Sequence, residues 1–181
     1  MVRARVPPTL LLLPLLLLVL VHSLFDLDPL VVIIDVDASS SFSSFSQPQE
    51  ITRLSNLSTL YLFYNHRLEL KKPDLEDLAL SLTKLEELHL DEVDISAPFP
   101  DRISNLSSLK LVDLSESCNM LHGQITPYFF ENLSTLTRLE LHDNQLSGEI
   151  PSSIGNLSQL RILDLSHNQL AGSIPSSIII S

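Results

Sequence analysis

Four tripeptides in this chain of 181 residues can accept a chemical group: Asn56-Leu57-Ser58, Asn105-Leu106-Ser107, Asn132-Leu133-Ser134 and Asn156-Leu157-Ser158. Asparagine two residues before serine, with no proline between, is the acceptor for N-linked glycan once a chain enters the secretory path. The same triplets could also be filler in a repeated phrase. Other reactive residue types are thin. The histidines, His89 and His142 included, do not cluster at metal-ligand spacing, and solvated or hydrogen-bonded imidazoles are expected. The single cysteine, Cys118, can form neither an internal disulfide nor a thiolate zinc cluster. No histidine or acid is placed to activate it as a nucleophile. Phosphate loops, His-Glu-x-x-His zinc motifs and nucleophile elbows are lacking from the sequence. No catalytic residue, metal ligand or cofactor is therefore expected.

Charge narrows the partners. The formal net charge is -11, with 18% of residues charged. An acidic chain repels phosphate, which argues against nucleic acid and anionic membrane surfaces as partners. Membrane attachment is expected only through the first residues or through an anchor beyond the last one. Arg3 and Arg5 form a basic start, and residues 10–21 are almost pure leucine and valine, broken by Pro14. That pattern predicts a signal peptide over residues 1–25, with an uncleaved signal anchor as the alternative. Residues 26–46 combine a β-branched run with a serine-rich stretch and are expected to be a linker of unknown structure.

What must position the four acceptor triplets is a repeat. The last unit reads Leu157-x-x-Leu160-x-x-Leu163-x-Leu165-x-x-Asn168-x-Leu170-x-Gly172-x-Ile174-Pro175. The unit before it begins at Leu133 and repeats the pattern through Asn144, Leu146, Gly148, Ile150 and Pro151. Three degenerate units begin at Leu106, Leu82 and Leu54, so the steps between starts are 28, 24, 27 and 24 residues. Periods of about 20–29 residues with this leucine pattern predict a solenoid over residues 47–181, with about five coils. In Leu-x-Leu both leucines point one way along a strand, because side chains alternate with period two. Each coil turns that pair inward. Asparagine after the strand can use both ends of its amide on backbone groups of adjacent coils. Glycine permits the tight bend, and proline ends the pairing. One segment favours helix: Leu75, Leu78, Leu82 and Leu85 share a face, and Asp74 is a candidate N-cap.

The residues between the inward leucines must then face the open side of the sheet. The central lane is Tyr61, His89, Asp113, Glu140 and Asp164. One flanking lane holds Phe63, Asp91, Ser115, His142 and Ser166, and the other Thr59, Glu87, Leu111, Arg138 and Ile162. From these the expected ligand face is Tyr61, Phe63, His89, Asp91, Asp113, Arg138, Glu140, His142 and Asp164. The competing reading is a solvated sheet in which Asp-Leu-Ser is common filler. Asn56, Asn105, Asn132 and Asn156 are the expected glycosylation sites, three of them just before a unit's first leucine.

"LSGEIP" and "LAGSIPSSI" carry a Gly-x-Ile-Pro half-unit. In this respect the chain resembles plant-type extracellular leucine-rich-repeat proteins over residues 47–178. The stretch "LELKKPDLEDLALSLTKLEELHLDEVDIS" is similar to early repeats of plant receptor-like proteins used in defence. The resemblance implies an α/β fold: a right-handed leucine-rich-repeat solenoid with a parallel concave β-sheet and short helical or irregular convex segments, preceded here by an N-terminal hydrophobic helix. It implies a non-catalytic protein-binding module of a cell-surface or secreted protein. Its partners would be a protein or peptide ligand and a co-receptor, recognised on the concave face. The chain departs from that family in lacking a cysteine-paired cap and in ending mid-unit, which reads as the amino-terminal part of a receptor-like protein or a truncated product. A secreted inhibitor of the polygalacturonase-inhibitor kind and a structural fragment without ligand are the alternatives.

Overall fold

A computed structural model describes residues 3–5, 30–33, 52, 54–62, 74–91, 93–115 and 121–178. The expected N-terminal hydrophobic helix and Phe63 lie outside these residues, as does Cys118. Among the described residues no helix is long and apolar enough to cross a membrane.

One parallel sheet is built in the order of the chain. Its strands are β1 (Arg3–Arg5), β2 (Leu30–Ile33), β3 (Leu57–Tyr61), β4 (Glu87–His89), β5 (Leu111–Asp113), β7 (Arg138–Glu140) and β9 (Ile162–Asp164). The five predicted coils thus stack as expected, each contributing one strand from β3 onward. β2 falls within the segment read as a linker, and β1 holds both arginines read as the basic start. Both pair in parallel at the edge of the same sheet.

The inward leucines make the core. Leu60, Leu62, Leu88, Leu90, Val112, Leu114, Leu139 and Leu141 are all buried. Burying each such side chain is worth about 1.5–3 kcal/mol. In the last coil Leu160, Leu163 and Leu165 are only partly buried against this core. Opposite the sheet, Phe99, Phe129 and Phe130 form an edge-to-face cluster, with ring centroids 4.7 and 5.1 Å apart.

The outer side carries the predicted helix, α1 (Leu75–Ser81), which buries Leu75, Leu78 and Ala79. Asp74 caps it: its carboxylate accepts from the Asp77 amide at 2.9 Å, and Asp77 reciprocates toward the Asp74 amide at 3.3 Å. Later coils replace helix with 3-10 turns at Asp101–Asn105, Pro127–Phe130 and Ser152–Asn156. Pro100 and Pro151 stand at the N-caps of two of them, and Pro127 opens the third, where its missing N–H costs nothing.

The convex side is more regular than the sequence suggests. A second parallel sheet runs β6 (His122–Gln124), β8 (Gln145–Glu149) and β10 (Gln169–Ala171). Gly148 therefore lies inside a strand rather than at a bend. Its φ is +80°, and an added Cβ would stand 2.9 Å from Cγ of Gln124 on the neighbouring strand. The positive φ strains any side chain there, and the Gln124 side chain would have to shift to admit one.

Candidate functional site

Strand register decides which side chains meet on the open face. Tyr61 pairs with His89, His89 with Asp113, Asp113 with Glu140, and Glu140 with Asp164. The flanking row Thr59, Glu87, Leu111, Arg138 and Ile162 is equally in register. Two of the three lanes expected from period-two alternation are therefore rows in register, one residue per coil.

Within them the first two coils make a fixed aromatic corner. The rings of Tyr61 and His89 stack, with centroids 4.1 Å apart and planes 24° apart. The Tyr61 hydroxyl donates to Glu87 Oε2 at 2.9 Å, and His89 Nε2 lies 3.9 Å from the same oxygen. His89 Nε2 is buried and makes no hydrogen bond. Burial lowers the proton affinity of this ring, with Arg138 adding in the same direction, against the pull of Asp113 and Glu87. His89 is thus held toward its neutral form.

One histidine has two carboxylates close by. Asp91 follows His89 by two residues in the turn after the strand, while Asp113 sits opposite His89 on the next strand. Ligating atoms of these three side chains all lie within 4.8 Å of one another. The spacing of histidines along the chain gives no sign of this group, because its other members are carboxylates from a turn and a neighbouring coil.

Further along, Arg138 Nη2 donates to Glu140 Oε1 at 2.6 Å, bridging two lanes on one strand. His142 Nδ1 lies 3.0 Å from Asp143 Oδ2. Desolvation pulls the His142 pKa down, but the Asp143 hydrogen bond and the charges of Asp164, Asp143 and Asp113 outweigh it and raise it.

Asp-Leu-Ser is more than filler. Ser166 donates to Asp164 Oδ1 through its amide at 3.0 Å and its hydroxyl at 2.6 Å. Ser115 makes the same pair of bonds to Asp113 Oδ1, and its side chain is buried rather than displayed on the face. At Asp164 the bonds from Ser166 favour the charged carboxylate and lower its pKa. Aspartate here closes the turn leaving the strand while one oxygen stays free.

Three of the four glycan acceptors, Asn105, Asn132 and Asn156, are exposed, at or just after the ends of 3-10 turns. Asn56 is half-buried, and its carbonyl oxygen accepts from Lys84 Nζ at 2.6 Å. The leucine after each asparagine is buried. Each triplet therefore straddles the edge of the solenoid.

Comparison with known proteins agrees with this geometry. The family model described as "Leucine rich repeat" matches residues 117–170. Over that span the coils match a leucine-rich repeat. The repeat chain is 39% identical to Receptor-like protein Cf-9 of Solanum pimpinellifolium over 107 residues, covering 59% of this chain and 12% of Cf-9. It superposes on the Arabidopsis receptor kinase HAESA, solved with the peptide hormone IDA and the co-receptor SERK1, with TM-score 0.59 and 27% identity. That match covers 72% of the repeat chain and 21% of HAESA. A plant ice-binding protein gives TM-score 0.60 at 31% identity, covering 72% of this chain and 40% of its own. The repeat chain spans about a tenth of the length of the curated relatives it matches. The solenoid is thus shared by proteins with different tasks, and the task has to be read from the face.

Proposed function

We propose that this leucine-rich-repeat chain is a non-catalytic recognition module of a plant receptor-like protein, displayed outside the cell. Its ligand is a protein or peptide, with a co-receptor as a second partner. The signal-peptide reading of residues 1–25 and the exposed Asn-Leu-Ser edges support a secretory route. The observation that carries the proposal is the central lane in register, Tyr61, His89, Asp113, Glu140 and Asp164, on the open side of a rigid sheet. Asp91, Arg138 and His142 flank it. Receptor relatives favour recognition over the inhibitor reading.

The lane is acidic over three successive coils, through Asp113, Glu140 and Asp164. A basic peptide lying across the strands is the ligand chemistry it fits. An array of cationic peptides probed with the full chain tests this. Binding should weaken at least tenfold in Glu140→Lys and Asp164→Lys and stay unchanged in Glu131→Lys, on the outer side. Equal binding by all three variants would overturn the proposal.

A further inference from the structure

We propose that His89, Asp91 and Asp113 form a binding site for one first-row divalent cation, zinc or manganese, on the open face of the sheet. Each side chain offers one ligating atom, and the three atoms lie within 4.8 Å of one another. Donors about 2.1 Å from a cation stand at most about 4.2 Å apart, so a small inward swing of the carboxylates completes the set. The strands supply the spacing. Asp91 follows His89 by two residues in the turn after the strand, and Asp113 is the cross-strand partner of His89.

A second, independent feature points the same way. His89 Nε2 is buried without a hydrogen bond, although Glu87 Oε2 is only 3.9 Å away. Such a nitrogen has an unmet demand for a partner. The surroundings also resemble the supporting shell of a metal centre. Tyr61 stacks on the imidazole and fixes its plane. Ser115 holds Oδ1 of Asp113 through its amide and hydroxyl, which leaves the other oxygen for a ligand bond. One imidazole with two carboxylates suits zinc or manganese and leaves coordination positions open to water. Calcium, which takes about six to eight oxygen ligands, is disfavoured by so small a set. This site uses three residues of the proposed recognition face, but cation binding needs no peptide and is tested without one.

Calorimetry on the chelator-treated full chain, titrated separately with zinc, manganese and calcium ions, tests the site. One zinc or manganese ion should bind per chain, at least tenfold more weakly in His89→Ala and in Asp91→Asn. His122→Ala, on the second sheet, should bind as the unaltered chain does, and calcium should give no saturable signal. Absence of stoichiometric zinc and manganese binding would overturn the proposal. So would unchanged affinity in a folded His89→Ala. Paramagnetic broadening by manganese in the unaltered protein removes any dependence on the folding of variants. The His89 and Tyr61 ring signals should broaden first, and earlier broadening at His122 or His167 would contradict the site.

Discussion

The side-chain amide of Asn168 donates to the carbonyl oxygen of Leu141 at 2.7 Å, across 27 residues and from one coil to the one before. Its own carbonyl accepts from the amide of Leu146 at 3.0 Å. Asn144 repeats the arrangement one coil earlier, donating to Leu114 O at 2.8 Å and accepting from Leu121 N at 3.2 Å. Each asparagine satisfies backbone groups that the turn leaves without a ladder partner.

Asn144→Ala should therefore destabilise the chain by about 1–3 kcal/mol, because buried backbone groups lose their partner. Asn168→Ala should cost less, since water reaches its half-buried site. Denaturant titration checks the order. Equal or reversed losses would contradict the ladder.

Much of this was legible beforehand, for a physical reason. Alternation along a strand fixes which residues face in, and the repeat length fixes which residue of the next coil lies alongside. Tyr61, His89 and Asp113 could thus be set in one row from spacing alone, as could the capping role of Asp74. Other features depend on contacts that no period announces. The second sheet arises because Leu146-x-Gly148-x-Ile150 alternates with period two, a signal overshadowed by the glycine, which suggests a bend. The gathering of His89, Asp91 and Asp113 depends on cross-strand register and on side-chain direction after the strand ends. Ser115 looked solvent-facing by alternation, yet its hydroxyl turns back to Asp113 and buries the side chain.

Gly148→Ala should cost about 1–3 kcal/mol, combining positive φ with the close approach of Gln124. Gly123 has φ +90° but open space where a Cβ would stand, so Gly123→Ala should cost less. Thermal melts of both variants test this. A smaller loss at Gly148 would mean that the Gln124 side chain moves aside at little cost.

The raised pKa of His142 has a sign that can be checked. Its charged form is favoured in the fold, so its contribution is complete below the unfolded value of about 6.5 and fades as pH rises through the folded value. His142→Gln should flatten the fall in melting temperature as pH rises above about 6.5. Asp164, with a lowered pKa, acts oppositely: its contribution holds above about 3.8 and is lost as pH falls through the folded value. Asp164→Ala should flatten the acid limb and, because the Asp164 charge helps to raise the His142 pKa, soften the neutral limb as well. Identical profiles for both variants and the unaltered chain would show that neither interaction counts.

Secretion from plant cells should add glycan at two or more of the exposed Asn105, Asn132 and Asn156, each occupied site lost on substitution by glutamine. Asn56, held by Lys84, should be the least occupied. Intact-mass measurement after each substitution reads this directly. Glycan at Asn56 with none at the other three would contradict the edge assignment.

The central claim, that the open face of the sheet receives the partner, is tested most directly by locating the contact. A photo-crosslinking residue placed at Asp113 or Glu140 on the face, or at the exposed Tyr128 on the outer side, can be combined with a bound cationic peptide. Crosslinks from positions 113 and 140, with none from 128, are the predicted result. Crosslinks from position 128 alone would contradict it.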